Sequence, residues 1–259
     1  MQIKPASNNQ LKLWKKLQRT KYRKKEGLFL AEGERCVEQI VRNGYVDVEA
    51  VVVEKDYRPG FDYTGPLFEV TSSDFKDLAD TETPQGVLAV CKIPAESVVE
   101  QMADEAGLII ALDAVQDPGN VGTIIRTATW FSAAGILFGD GTADPFHPKV
   151  VRSTAGATGS LAYVKGNLND LLGQFEKTGW QSYLMDGGNE SVDIKSVTPG
   201  KKSILVIGNE GNGISGQLFI PQRSSVRIPG ENASVESLNA AIAMGIGMHH
   251  MVSAAGDIG

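Results

Sequence analysis

Residues 108–126 read LIIALDAVQDPGNVGTIIR. Leu108 to Leu112 form an uninterrupted apolar run that ends at Asp113. Such a run, without polar alternation, suits a strand buried on both faces of a parallel sheet. Pro118 and the glycines shape a tight turn, and a helix is expected from about Gly119 to Phe131. Further strands fit 135–139, 161–164, 180–185, 203–207 and 224–228, with helices between them and one at the C-terminal end. Strands alternating with helices imply a parallel, doubly covered sheet. Its ligands bind beyond the carboxyl ends of the strands, so chemistry is expected in the loops after 113, 185, 207 and 228.

Three of these loops are informative. In the first, Asn120 and Arg126 stand six apart on the expected helix and are near neighbours. Read singly, Asn120 is a helix cap and Arg126 a surface residue. In the second, Ile204–Ile207 runs into Gly208-Asn209-Glu210-Gly211-Asn212-Gly213, a Gly-rich loop with one carboxylate. Its G-x-x-G-x-G spacing is not the dinucleotide fingerprint, and no G-K-[ST] phosphate loop occurs in the chain. In the third, Ser237-Leu238-Asn239 opens a helix, with Ser237 read as its cap. Small residues at 240, 241, 243, 245 and 247 let another backbone approach, whether a domain, a subunit or a cofactor site.

Upstream, a second, smaller α/β domain is expected. A helix fits 33–43, with Gly44 just past its end. Strands fit 48–53, 67–70 and 86–91, and a short helix 74–80. Ser7-Asn8-Asn9-Gln10 has the form of a capping box opening a helix with Leu11, Leu13, Trp14 and Leu17 on its apolar side. The mostly polar stretch IPAESVVEQMADEA, 93–106, reads as a linker region with room for a helical turn. The expected organisation is a domain over 1–98, a linker over 99–106 and a second domain over 107–259.

With 259 residues and 42% hydrophobic content, the composition excludes a disordered or fibrous chain. The net charge of −6 argues against nucleic acid only as a bulk figure. Residues 1–98 carry 15 basic and 15 acidic side chains, and 99–259 carry 10 and 16. Eight basic residues fall between Lys12 and Lys25 with no acid among them, interleaved with Trp14 and Tyr22. That run is either a solvated helix face or an arm contacting phosphates, with aromatics available for stacking. Cys36 and Cys91 form no metal-ligand pattern and no disulfide framework, so no metal is expected and a reducing cytoplasm is. No signal peptide or membrane span is expected.

Together the segments LDAVQDPGNVGTIIRTA (112–128), LVIGNEGNGIS (205–215) and IPGENASVESLNAAIA (228–243) resemble the three ordered motifs of the SpoU (TrmH-type) RNA ribose 2′-O-methyltransferases of the SPOUT superfamily. The N-terminal part resembles the small L30e-like substrate-binding domain of many members, with FLAEGERCVEQI (29–40) as a local echo. The resemblance implies a SPOUT parallel-sheet domain with a C-terminal trefoil knot, S-adenosylmethionine as cofactor, RNA as partner and a homodimer packed through the last helix and the knot. The implied cofactor positions are Ile207, Gly208, Ile228 and Leu238. The implied catalytic set is Arg126, Asn120, Glu210, Ser237 and Asn239. Arg126 acts there either as the base on the 2′-hydroxyl or as a protonated anchor for a phosphate and for developing alkoxide charge. RNA contacts are expected from Lys15, Lys16, Arg19, Lys21, Arg23 and Lys24, and from Arg152 in the stretch Lys149–Gly156. Ribosomal RNA is the expected substrate. The alternatives are transfer RNA, a scaffold without catalysis, and a nucleotide-dependent oxidoreductase, the last disfavoured by the glycine spacing.

Overall fold

The computed structural model of the chain describes residues 3–188, 190–230, 235 and 237–256. Glu231 to Ser234 and Glu236, within the third motif, lie outside the described residues. In the first part of the chain the elements are β1 (Lys4–Pro5), α1 (Asn8–Lys16), α2 (Thr20–Glu26), β2 (Leu28–Glu32), α3 (Glu34–Asn43), β3 (Val48–Glu54), β4 (Leu67–Val70), α4 (Ser72–Leu78) and β5 (Val87–Lys92). There follow α5 (Val99–Asp104), β6 (Gly107–Leu112), α6 (Pro118–Trp130), β7 (Gly135–Gly139), α7 (Pro148–Ser153), β8 (Tyr163–Gly166), α8 (Leu168–Glu176), β9 (Gln181–Met185), β10 (Val192–Asp193), β11 (Lys202–Ile207), β12 (Ser224–Arg227) and α9 (Ala240–Gly256). Two compact units result: residues 1–95 with 144–160, and residues 96–143 with 161–259.

The first unit is built on a mixed sheet whose described strands run β1-β4-β3-β5-β2. β3 pairs parallel to β4 and antiparallel to β5. Alternate residues of the strands, among them Leu30, Val52, Leu88 and Val90, pack against Trp14, Leu17, Phe75 and Leu78 from the helical side. The capping box is present: the Ser7 hydroxyl accepts from the Gln10 amide while Gln10 reaches back to the Ser7 amide. The basic run is not one helix. It breaks between Lys16 and Thr20, because the fully buried Arg23 donates to the carbonyls of Leu17 and Gln18, to the Thr20 hydroxyl and to Asp144.

The second unit holds a parallel sheet whose described strands run β10-β12-β9-β11-β6-β7-β8. The chain moves from β6 outward through β7 to β8, then fills the other side. The order therefore reverses between β6 and β11, the place where sheets of this kind bind ligands. Ile109, Ala111, Ile204 and Val206 pack into one core layer with Leu168, Leu172 and Phe175 of α8. On α9 the inward face carries Met244, Met248 and Met251, all buried. A side chain at Gly247 would meet Leu205 and Met185 at 2.7 and 3.0 Å, so this glycine lets the helix lie close to the sheet. The small-residue stripe thus has one clear use within the unit.

Two segments differ from the expected division. Residues 99–106, expected as a linker, carry α5, whose Met102 and Ala103 are buried in the second unit's core. The Ala103 carbonyl accepts from Trp180 Nε1 at 3.0 Å and from Lys202 Nζ at 2.8 Å. Residues 144–160, expected with the second domain, belong to the first unit. Asp144 pairs with Arg23, Phe146 packs on Phe29 at 5.3 Å between centroids, and Arg152 pairs with Glu32 and Asp80. Among the described residues no helix is long and apolar enough to cross a membrane.

Candidate active site

The buried run Leu108–Leu112 makes β6 a central strand, and Asp113 marks its exit. The loop that follows is tied to the end of β11. The Asp113 amide donates to the Ile207 carbonyl at 2.8 Å. Its side chain accepts from the Ser215 amide at 2.6 Å. Ala114 takes a left-handed backbone, φ 54°, and its carbonyl accepts from Asn209 Nδ2 at 2.9 Å. Asn209 also accepts from the amides of Gly211 and Asn212, each at 3.0 Å, which folds the Gly-rich loop back on itself. At Gly208 a Cβ would overlap the backbone of Gly213 and Ile214, so only glycine fits there.

This frame brings three of the expected catalytic residues together. The Glu210 carboxylate accepts from the amides of Gln116 at 3.2 Å and Asp117 at 3.3 Å, and from Asn120 Nδ2 at 3.0 Å. Asn120 Oδ1 in turn accepts from Asn239 Nδ2 at 3.0 Å. Glu210, Asn120 and Asn239 form one hydrogen-bonded chain across three sequence motifs. Burial alone would raise the Glu210 pKa, but the bonds from Asn120 and from backbone amides outweigh it and hold the carboxyl below its ordinary value.

Two capping assignments change. Asp117, not Asn120, caps α6, accepting from the Asn120 amide at 2.8 Å with Pro118 at the first helical position. Asn239, not Ser237, caps α9, accepting from the amides of Ala241 at 2.9 Å and Ile242 at 3.2 Å. That frees the Asn120 side chain for Glu210 and Asn239. Arg126 is exposed on α6, six residues along from Asn120, and Ser237 is exposed ahead of α9. Among the described residues neither is hydrogen-bonded to the chain of three.

The expected cofactor positions fall at strand ends. Ile207 closes β11 and is buried, as is Gly208. Ile228 follows β12 and is half-buried, and Leu238 stands exposed before α9. Arg223 fixes the chain between them: its guanidinium grips both oxygens of Glu176 at 2.7 and 3.2 Å and Asn169 Oδ1 at 2.8 Å. Asp113, Asn209 and Arg223 were not singled out by sequence. The readable signals were an Asp at a strand exit and an Asn opening a glycine loop, where its side chain can hold backbone amides.

The expected RNA contacts lie in the first unit and divide sharply. Arg23 is a correction: it is fully buried and bound to Asp144 at 2.7 Å, so it presents no charge to a ligand. Trp14 is likewise buried against Phe68, so it offers no stacking face. Arg152 is ion-paired with Asp80 at 2.7 Å and Glu32 at 3.4 Å. Lys15 is exposed and paired with Asp77 at 2.6 Å, and Lys16 lies 5.5 Å over the Tyr22 ring. Arg19, Lys21 and Lys24 are exposed. The buried Cys36 thiol is pushed up to about 12 by burial, and burial likewise raises Cys91, so neither is poised as a nucleophile. Among the described residues no group of His, Cys, Asp and Glu could hold a metal ion.

Comparison with known proteins bears on this arrangement. Residues 107–249 match the SpoU rRNA Methylase family, and residues 8–89 match the MRM3-like substrate binding domain. The 23S rRNA (guanosine(2553)-2′-O)-methyltransferase RlmP of Bacillus subtilis (strain 168) is 34% identical over 254 residues, covering 96% of this chain and 98% of its own. A Porphyromonas gingivalis structure described as an RNA methyltransferase of the TrmH family aligns with a TM-score of 0.80 at 34% identity, covering 95% of this chain and 97% of its own. The AdoMet-bound rRNA methyltransferase of Sinorhizobium meliloti aligns with a TM-score of 0.80 at 28% identity, covering 96% and 95%. The parallel α/β sheet, the site at its reversal point and these matches agree: the chain belongs to the SpoU rRNA methylase family.

Proposed function

We propose that the chain is an S-adenosylmethionine-dependent ribose 2′-O-methyltransferase acting on ribosomal RNA. The observation that carries this reading is the Glu210–Asn120–Asn239 chain of hydrogen bonds at the point where the strand order reverses, with Arg126 exposed on the same helix as Asn120. The relatives named for ribosomal RNA methylation and for bound AdoMet support the substrate and cofactor.

When bound, S-adenosylmethionine supplies an electrophilic methyl group that a ribose 2′-oxygen attacks in line with the sulfur. The residues present fit such a group. Ile207, Gly208, Ile228 and Leu238 would hold it, with backbone polar groups for the adenine edge and apolar side chains for its faces. Gly208 keeps side-chain bulk out of the loop. Glu210 and Asn120 fix the first turn of α6 and so set the direction from which Arg126 reaches the ribose. Asn239 holds the start of α9 through the Ala241 and Ile242 amides, and the exposed Ser237 beside it is assigned to the substrate side. A solvated guanidinium keeps its five N–H donors. We therefore assign Arg126 to anchoring an RNA phosphate and stabilising charge that develops on the 2′-oxygen, while the 2′-hydroxyl proton passes to that phosphate and on to solvent.

The first unit serves as the RNA-binding part, and the second, residues 96–143 with 161–259, as the methyltransferase part whose C-terminal segment forms a trefoil knot. The enzyme acts in the cytoplasm as a homodimer. The reading rests on one test. Arg126→Ala should fold, keep cofactor affinity by calorimetry and lose methyl transfer to ribosomal RNA from cells lacking the gene. Near-normal transfer by that variant would refute the assignment, and transfer to transfer RNA alone would replace the substrate.

A further inference from the structure

A hollow of about 630 Å³ opens in the first unit between α3 and the loop 59–62. Its size falls in the range of small-ligand sites. Glu38, Val41 and Arg42 of α3 form one wall, and Pro59, Phe61 and Asp62 the other. The Gly60 amide donates to Glu34 Oε1 at 2.9 Å, so the loop is tethered to the start of α3. The lining combines a ring and a proline face with one cation and two carboxylates. Glu38 and Arg42 are one turn apart, a spacing that commonly gives an ion pair. Among the described residues, however, the side chains of Glu38, Arg42 and Asp62 have neither an ion pair nor a hydrogen bond. Three unpaired charges around an apolar platform form an uncommitted recognition surface.

We propose that this hollow seats an unpaired guanine of the RNA substrate, an assignment that rests on the reading of the chain as an RNA enzyme. Sequence-specific RNA recognition relies on splayed-out bases stacked on aromatic or guanidinium planes and hydrogen-bonded along their edges. Phe61 and Pro59 provide the stacking face, and Arg42 the second plane or a phosphate partner. Carboxylates only accept hydrogen bonds. Guanine alone among the four bases sets a ring N–H beside an amino group on its pairing edge, two donors for one carboxylate. Asp62 and Glu38 therefore favour guanine and reject uracil, whose carbonyls would face them.

The test uses the full chain and two hexanucleotides, UUUGUU and UUUUUU, with affinities measured by fluorescence anisotropy. The wild type should bind UUUGUU more tightly. Phe61→Ala should weaken that binding by about tenfold, the size of a lost base stack. Asp62→Asn and Glu38→Gln should bring the two affinities together while leaving UUUUUU unchanged. Replacing the guanosine by inosine, which lacks the amino group, should have a similar effect on the wild type. Equal affinities in the wild type, or a preference that survives both Phe61→Ala and Asp62→Asn, would overturn the proposal. Competition by guanosine monophosphate as strong as by UUUGUU would mark a free-nucleotide site and overturn the RNA assignment. Methyl transfer to ribosomal RNA, measured on the same preparations, separates the two readings. Transfer without guanine selectivity sinks the hollow alone, and selectivity without transfer sinks the enzymatic reading alone.

Discussion

Glu210 shows how an exposed residue can still be fixed. Its carboxylate takes one side-chain and two neighbouring backbone donors, and these hold its pKa below the ordinary value against the opposing effect of burial. A group whose pKa is lower in the folded state adds stability that is complete above its unfolded pKa. That contribution is lost as pH falls through the lowered folded value. A carbon-13 NMR titration should therefore place the Glu210 midpoint below that of an ordinary glutamate. Asn120→Ala should move the midpoint upward, and an unmoved midpoint would show that the backbone amides suffice. The pairing was only half legible in the sequence. Asn120 and Glu210 stand 90 residues apart, and the motif pattern marked both without saying that they touch. Asp113 and Asn209 went unmarked because their work is to hold backbone. An Asp after a strand or an Asn before a glycine is too common for its type alone to reveal that role.

At the scale of elements, the basic run from Lys12 to Lys25 is two helices with different duties. Leu17 and Arg23 face inward and Lys12, Arg19, Lys21 and Lys24 outward. Truncating residues 1–25 would strip Trp14 and Leu17 from the core, so charge substitution is the informative experiment. Changing Lys12, Arg19, Lys21 and Lys24 together to Gln should flatten the salt dependence of RNA affinity, each phosphate contact contributing about 0.7–0.9 to the logarithmic slope. An unchanged slope would make the run a solvated surface. Arg23→Met should do the reverse. It should leave the slope intact but destabilise the protein by about 3 kcal/mol in thermal or denaturant unfolding, the low end for a broken buried pair because Asp144 keeps some solvent. Most strands were legible from apolar runs alone, such as Leu108–Leu112 and Ile204–Ile207. β2 was not, since its buried run Leu28–Ala31 ends in Glu32, Gly33 and Glu34 and reads as the approach to a helix. The break between α1 and α2 contains neither Pro nor Gly. It arises from the bonds of Arg23 to the Leu17 and Gln18 carbonyls, a tertiary cause that local propensity does not carry.

For the whole molecule, the decisive surface is the outward side of α6 and α9, which pack against each other. Trp130 is 82% exposed, Ile242 55% and Ile246 41%. Large apolar groups gathered on adjacent helices, with Met244 and Met248 already filling the inward side of α9, mark a surface that association would cover. The same helix is capped by Asn239, which bonds to Asn120 and through it to Glu210. Whatever covers the outer face of α9 therefore steadies the site as well. In the proposed homodimer a second copy of the chain would cover it, and a stable contact would bury about 1,200–2,000 Å² in total. Sedimentation equilibrium should show a dimer for the wild type and a monomer for the Trp130→Glu, Ile246→Glu double variant. Because both side chains are exposed in the single chain, the variant should retain its fold and its far-ultraviolet circular dichroism. Its methyl transfer per protomer should fall even though no substituted residue belongs to the Glu210–Asn120–Asn239 chain. A variant that stays dimeric would move the interface elsewhere. A monomer with full activity would show that the hydrogen bonds of Asn239 hold the site without a partner.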